Sequence, residues 1–337
     1  MVLNTRITPR VAVLVPCYNE ELTIEQVVSD FRRSLPGADI YVYDNNSRDR
    51  TRELAKQSGA IVRREPQQGK GSVVRRMFSD IEADVYILVD GDATYHAPSA
   101  PEMIELLARE NLDMVVGSRV HDDPQAYRSG HRFGNAILTG FVSYLFGKSF
   151  SDILSGYRVF SRRFVKSFPA LSRGFEIETE LTVHALELKL PVAEIETPYG
   201  ARPEGSTSKL STYKDGFKIL RVILGLYKHE KPFQFFGLLG VALALVSFAL
   251  GVPIIFEWLK TGLVPRLPTA ILSSGIMVLA FLFAMVGLVL ETVTRGRQEV
   301  RRLFYLQIPI RPDLSVPALN ASSHGAVAVL DGQRVVV

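Results

Sequence analysis

The chain has 337 residues, 47% of them hydrophobic and 22% charged, with 39 Lys+Arg against 35 Asp+Glu. That length accommodates about two domains, the apolar content excludes a disordered chain, and 25 Gly and 18 Pro without a period exclude a collagen-like or low-complexity one. A single cysteine, Cys17, excludes a disulfide framework, no Cys/His cluster suggests structural zinc, and a net charge of +4 gives no ground for a nucleic-acid partner.

The first ten residues, Met1 to Arg10, carry no secretory-signal pattern. Val11 to Val15 is a short β-branched run closed by Pro16, the pattern of a buried strand, and Glu20 to Leu35 has helical periodicity that stops before Pro36-Gly37. Ile40 to Tyr43 is the next strand and Asp49 to Ser58 the next helix, ended by Gly59. Ala60 to Val62, a helix from about Gly71, Val85 to Val89, a helix after Pro98, and Met114 to Gly117 continue the rhythm. Such alternation predicts an α/β protein with a mainly parallel, Rossmann-like sheet and helices on both faces. Ligands of these sheets bind beyond the carboxyl ends of the strands.

Further on, Tyr213 to Tyr227 gathers Phe217, Ile219, Leu220, Ile223, Leu224 and Leu226 on one side of a helix, with Lys214, Lys218 and Arg221 beside them. This reads as an amphipathic helix, either lying in a membrane interface or packed on its own domain. Pro232 to Phe256 and Leu267 to Leu290 hold no charged residue, and each is long enough to cross the ~30 Å hydrocarbon layer. Glu257 to Arg266, with Gly262 and Pro265, is the turn between them. Lys228 and Lys231 precede the pair and Arg295, Arg297, Arg301 and Arg302 follow it, whereas the turn has only Lys260 and Arg266 against Glu257. The positive-inside bias predicts a two-span hairpin in the cytoplasmic membrane with both flanks and the large N-terminal part in the cytoplasm; a single cysteine, Cys17, agrees with a reducing compartment. The expected organisation is a cytosolic domain over 1–212, an amphipathic juxtamembrane helix over 213–231, a hairpin over 232–292 with spans at about 233–256 and 268–290, and a cytosolic tail over 293–337. The Val-rich end, Ala326 to Val337, receives no assignment.

The strand ends are followed by Pro16-Cys17-Tyr18-Asn19-Glu20, Asp44-Asn45-Asn46-Ser47-Arg48-Asp49, Asp90-Gly91-Asp92 and Gly117-Ser118-Arg119. No G-x-G-x-x-G follows the first strand, and Gly69-Lys70-Gly71 lacks the spacing of a P-loop, which disfavours a nicotinamide dehydrogenase or a P-loop NTPase. Asp90 and Asp92 directly after a strand can hold a hard divalent cation whose other positions go to diphosphate oxygens, although an isolated D-x-D is more often a turn or a cap. Asp44 can accept hydrogen bonds from a nucleobase, Tyr18 can stack on it, and Glu20 can serve either the base or the next helix N-terminus. Asp49 reads equally well as a site residue and as a helix cap.

In this order, V-P-C-Y-N-E, D-N-N-S-R-D-R-T, G-K-G, V-D-G-D and G-S-R, followed by Asp152-Ile153-Leu154-Ser155-Gly156-Tyr157-Arg158 and the Arg202 to Leu210 segment, resemble family 2 glycosyltransferases of the GT-A fold. With a C-terminal hairpin, the nearest subgroup is the polyprenyl-phosphate sugar synthases similar to dolichyl-phosphate mannose synthase. The resemblance covers about residues 10 to 230 and implies a nucleotide-sugar site at Pro16, Tyr18, Glu20, Asp44, Lys70, Asp90 and Gly91, with Asp90 and Asp92 binding Mg2+ or Mn2+. Thr94 stands where the subgroup often has Gln, leaving the third metal ligand open. Arg119 with Arg128 or Arg132 corresponds to the acceptor-phosphate arginines, and Arg202 to a mobile-loop arginine near the donor diphosphate; Asp92, Arg119, Arg132 and Arg202 are the catalytic candidates.

The implied reaction is inverting transfer from a UDP- or GDP-sugar to the phosphate of a polyprenyl phosphate. A phosphate acceptor with a second pKa near ~6 is already ionised at neutral pH and needs no general base. Glu180 is the candidate if a base is used and otherwise reads as a solvated helix acid, the reading a phosphate acceptor favours, and Asp152 reads as an orienting group. The alternatives are a transferase that extends a polysaccharide on a sugar hydroxyl and a silent nucleotide-sugar-binding membrane tether. Self-association into a homo-oligomer is compatible with each reading.

Overall fold

A computed structural model of the chain describes residues 9–120, 129–147, 150–169, 177–200, 221, 223–309, 327–330 and 333–336. Arg128 and Arg202 lie outside the described residues, and Arg132 is placed by its backbone alone. The chain divides into two compact units, one of residues 1–216 with 301–337, the other of residues 217–300.

The first unit opens with β1 (Val11–Cys17), α1 (Ile24–Ser34), β2 (Asp39–Asp44), α2 (Thr51–Gln57), β3 (Ile61–Arg64), α3 (Lys70–Asp80), β4 (Val85–Leu88), α4 (Ala100–Arg109) and β5 (Met114–Val120). It continues with α5 (Ser129–Phe146), β6 (Arg158–Ser161), α6 (Arg162–Ser167), α7 (Ile177–Glu187) and β7 (Val192–Pro198). Beyond α8 (Pro232–Thr261) and α9 (Leu267–Gln307), the chain ends in β8 (Val327–Leu330) and β9 (Gln333–Val336). The sheet order is β3-β2-β1-β4-β6-β5-β7-β8-β9. Parallel pairing joins β3, β2, β1 and β4, and again β5 and β7. β6 runs antiparallel between β4 and β5, and the hairpin β8–β9 adds antiparallel to β7. Over β1 to β7 the sheet is mixed and mostly parallel, as the alternation predicts.

The apolar runs become central strands because both of their faces are covered: Ala12, Val13, Leu14 and Val15 of β1 and Val85, Tyr86, Ile87 and Leu88 of β4 are fully buried. On α1, Ile24, Val27, Val28 and Phe31 recur at helical spacing and supply the buried stripe. The β1–β2 register pairs Cys17 with Asp44, and Leu14 of β1 pairs with Leu88 of β4. Parallel pairing in this register brings the carboxyl ends of β1, β2 and β4 to one rim.

In the second unit, helical residues 223–230 precede the two apolar helices α8 and α9, both long and apolar enough to cross a membrane. Between Gly240 and Thr294 the buried residues of the pair recur every seventh position, Gly240, Ser247 and Ile254 in α8 and Ser273, Ala280, Gly287 and Thr294 in α9. Small side chains at this period let two antiparallel backbones approach closely. A Cβ on Gly240 would lie 2.9 Å from the Ala280 carbonyl oxygen. The Ser247 and Ser273 hydroxyls each donate to the other's carbonyl, at 2.8 and 2.9 Å. Most other large apolar side chains of both helices are exposed, Leu245, Phe248, Ile271 and Phe281 among them. Residues 229–230 join the same unit: Thr294 donates to the His229 carbonyl at 3.2 Å and Gln298 to Glu230 at 3.5 Å.

α9 does not stop at its last apolar residue. It runs on to Gln307, and from Arg301 onward the chain belongs again to the first unit. There the buried Tyr305 donates to Asp113 at 2.6 Å, the Arg163 guanidinium lies 3.9 Å from its ring centroid, Arg301 pairs with Glu187, and Arg302 donates to the Leu188 carbonyl. The segment from residue 293 is thus helical to Gln307, and its Val-rich end forms a two-stranded extension of the sheet.

Candidate active site

Asp44, at the end of β2, is fully buried and accepts from the Ser47 amide at 3.2 Å, with the Arg52 guanidinium 3.7 Å away. Next to it, Asn45 donates to the carbonyls of Glu65 and Gln67 and accepts from the Gly69 amide at 2.7 Å, tying the approach to α3 onto the rim. Pro16, Tyr18 and Glu20 are half-buried beside β2's end, and the Glu20 amide donates to Thr51 at 2.8 Å. Asp49 accepts from the Thr51 amide and hydroxyl and from the Glu21 amide, so its observed contacts are those of a residue that organises the start of α2.

The carboxyl end of β4 carries the acids. A Cβ on Gly91 would stand 2.7 Å from the Cys17 sulfur and 3.6 Å from Glu20 Cγ, so only glycine lets the β4 turn pass so close to β1. Thr23 secures that turn by donating to the Gly91 carbonyl at 2.6 Å. Asp92 is buried and accepts from the Thr94 hydroxyl at 2.6 Å. Thr94 therefore orients the second aspartate of the motif.

Asp90 is 2.5 Å from Lys70 Nζ, and the same ammonium pairs with Glu178 from the first turn of α7. Burial favours the neutral amine, but the two carboxylates outweigh it and raise the Lys70 pKa, keeping the charge. Sequence reading places Lys70 in this site but not Glu178. Glu180, the acid weighed as a base, is half-buried two residues further along α7.

The D-I-L-S-G-Y-R segment is explained by its contacts. Gly156 passes so close to the acids that a Cβ would lie 2.7 Å from Asp90 Oδ2 and 3.2 Å from Lys70 Nζ. The Ser155 hydroxyl donates to the Gly117 carbonyl, and the Gly156 amide to the Tyr95 hydroxyl at 2.8 Å. Tyr157 is core. Arg158 is fully buried and donates to the carbonyls of Ser155 and Ile153 and to the Thr182 hydroxyl; burial lowers its pKa to about 10, still charged at neutral pH. Asp152 opens the segment and takes the Arg119 side chain in a two-point fork, Nε to Oδ2 at 2.6 Å and Nη2 to Oδ1 at 2.8 Å. Burial works to raise the Asp152 pKa, and the Arg119 guanidinium overrides it and holds the carboxyl below its usual range.

A ring cluster links the acids to the arginine. Tyr95 and Tyr199 meet edge to face with centroids 5.1 Å apart, and Arg119 Cζ lies 5.5 Å from the Tyr199 ring centroid. Burial raises the Tyr199 pKa, and its ring stands between Arg119 and Tyr95, three residues past Asp92, so the D-G-D turn and the arginine lie at one rim. Asp44, Lys70, Glu178, the D-G-D turn and the Arg119–Asp152 fork thus converge where the strands end.

The model for glycosyl transferase family 2 matches residues 12–168. Glycosyltransferase AglJ of Haloferax volcanii is 33% identical over 300 residues, spanning 88% of this chain and 98% of that protein. Dolichol-phosphate mannosyltransferase of Pyrococcus furiosus is 28% identical over 256 residues, 69% of each chain. Glucosyl-3-phosphoglycerate synthase of Mycobacterium tuberculosis, crystallised with Mn2+, UDP and glucosyl-3-phosphoglycerate, superposes with a TM-score of 0.51 at 24% identity, over 65% of this chain and 79% of that one. The chain belongs to glycosyl transferase family 2, and its first unit has the GT-A fold.

Proposed function

We propose that the protein moves a sugar from a nucleotide-sugar to the phosphate of a polyprenyl phosphate at the cytoplasmic face of a membrane. The observation that carries this reading is a forked, carboxylate-locked arginine on the same rim as the D-G-D turn, in a chain that also holds two helices of membrane-spanning length. Relatives named as dolichol-phosphate sugar transferases support the lipid acceptor, and neighbours crystallised with UDP and Mn2+ support the donor side. The chain leaves the first unit at residue 216 and re-enters it at 301, which supports an even number of crossings, and the basic residues at both flanks support a cytoplasmic active site.

In this scheme Pro16, Tyr18, Glu20 and Asp44 hold the nucleotide, while Lys70, Asp90 and Gly91 line the donor's sugar and diphosphate. Two carboxylates fit a Mg2+ or Mn2+ ion that completes its shell with water and diphosphate oxygens. Asp92, helped by Asp90, would hold such an ion, which would supply charge neutralisation for the departing diphosphate. Arg119, held in orientation by Asp152, binds the acceptor phosphate, with Arg128 or Arg132 as its partner and Arg202 closing on the donor. A phosphate oxygen forms the new bond to the anomeric carbon as the bond from that carbon to the nucleoside diphosphate breaks, so configuration inverts. The acceptor arrives ionised, and no proton needs a base.

The test is full-length protein in detergent with undecaprenyl phosphate, a panel of UDP- and GDP-sugars and Mg2+ or Mn2+, read by mass spectrometry of the extracted lipid. One donor should give a glycosylated lipid phosphate, Asp92→Asn should abolish it, and Arg119→Ala should raise the KM for the lipid while donor binding persists. Transfer to a sugar hydroxyl instead, or donor binding without transfer, would refute the proposal.

A further inference from the structure

Glu194 sits in the middle of β7, buried, with no role assigned by motif or reaction. A carboxylate in the interior is costly unless its oxygens are satisfied. Here they accept from the Ser151 amide at 2.8 Å, the Asp152 amide at 3.0 Å and the Ser151 hydroxyl at 3.1 Å. Ser151 in turn meets the Ser118 hydroxyl at 2.7 Å, next to Arg119 in β5. β5 and β7 are neighbouring strands in parallel register, Val116 opposite Glu194 and Arg119 opposite Thr197. The 151–152 backbone is therefore stapled from the strand adjacent to the one that carries Arg119. The second residue of that staple is the one whose side chain forks Arg119.

We propose that Glu194 is a positioning residue for the acceptor arginine, fixing the Ser151–Asp152 backbone and, through Asp152, the direction of the Arg119 guanidinium. This inference rests on the proposed acceptor role of Arg119. Two amides of adjacent residues converge on one carboxylate, so the Asp152 backbone is held from behind while its side chain makes both bonds to Arg119. Gln at 194 keeps the shape but replaces one accepting oxygen with a donor facing the staple, which frees the backbone to turn. The fork then loses its alignment without losing either of its own partners.

The experiment measures binding of farnesyl phosphate, a short soluble acceptor mimic, and separately of UDP with Mn2+, to the full chain in detergent by calorimetry. Glu194→Gln should weaken farnesyl phosphate by roughly tenfold, the size of one charge-assisted hydrogen bond, and leave UDP–Mn2+ unchanged. Combined with Asp152→Asn, it should add little beyond the single change, because both act on one fork. If Arg119→Ala weakens farnesyl phosphate and Glu194→Gln does not, the positioning role is overturned and the acceptor role stands. If Arg119→Ala has no effect, the acceptor reading itself falls. Should Glu194→Gln also lose UDP–Mn2+ binding, Glu194→Asp replaces it, keeping the charge while drawing the carboxylate back from the Ser151 and Asp152 amides; unchanged farnesyl phosphate affinity in that variant overturns the proposal.

Discussion

Adding one methyl group at Gly156 tests the architecture of the site. The new Cβ would stand 2.7 Å from Asp90 Oδ2, and the carboxylate would have to retreat by about 0.7 Å to reach the 3.4 Å of an ordinary contact. Asp90 is also held by Lys70, and Lys70 Nζ would itself be only 3.2 Å from the same methyl. The group that yields is therefore the acid–ammonium pair, while the Gly156 amide keeps its bond to Tyr95. A misplacement approaching 1 Å costs on the order of 100-fold in rate, so Gly156→Ala should lower kcat on the order of 10- to 100-fold with little change in melting temperature. Gly37→Ala, with nothing within 4 Å of the new Cβ, is the matched control and should be neutral. The assay is lipid-linked sugar formation under saturating donor and acceptor, alongside thermal unfolding in detergent. A Gly156→Ala enzyme within roughly twofold of the parent would show that Asp90 and Lys70 do not need their observed placement.

Two further expectations concern stability. His184 is buried, its Nδ1 has no hydrogen-bond partner among the described residues, and burial, helped by the charge of Arg301, lowers its pKa to about 3. The unfolded chain takes a proton below about 6.5 that the folded chain refuses, so this contribution is complete above that pH and drains as pH falls, by about 1.4 kcal/mol per unit. Denaturant titrations at pH 5.5 and 4.5, both below the unfolded value, should show about that loss in the parent and a flatter dependence in His184→Leu; equal slopes would refute it. Tyr305→Phe removes the 2.6 Å donation to the buried Asp113 and should cost about 1.5–3 kcal/mol, read as a lower melting temperature of the whole chain, and no loss would mean this contact is not a support.

The sequence made legible those elements whose chemistry is uniform along their length. β1, β2 and β4 are apolar runs buried on both faces, and each is followed by residues of the rim, so strand and site are marked together. β6 is obscured by Arg158, a charge that reads as surface but is the largest fully buried side chain, and β7 by Glu194 and Glu196, which give a strand the look of a loop. The missed acid of the site has a similar cause. α7 is buried almost all round, so spacing cannot say whether Glu178 or Glu180 faces Lys70; the partner on α3 decides it. Asp152 was legible as an orienting group from its place in the motif, whereas Thr94 shows its bond to Asp92 only when the turn is built. The length of α9 beyond Leu290 was hidden by its arginines, which mark a flank when read as charges and a docked helix end once Glu187, Leu188 and Asp113 are seen.

That docked helix end has a consequence for biosynthesis. Residues 301–307 are the last turns of α9, translated after α8 and after the apolar part of α9, yet they supply partners to acids and carbonyls of the first unit whose residues are made well before them. A nascent chain cannot finish this enzyme until the ribosome has passed the hairpin. Completion of the first unit is thereby tied to synthesis of both apolar helices, and a polypeptide stalled before that point leaves Asp113 and Glu187 without those contacts.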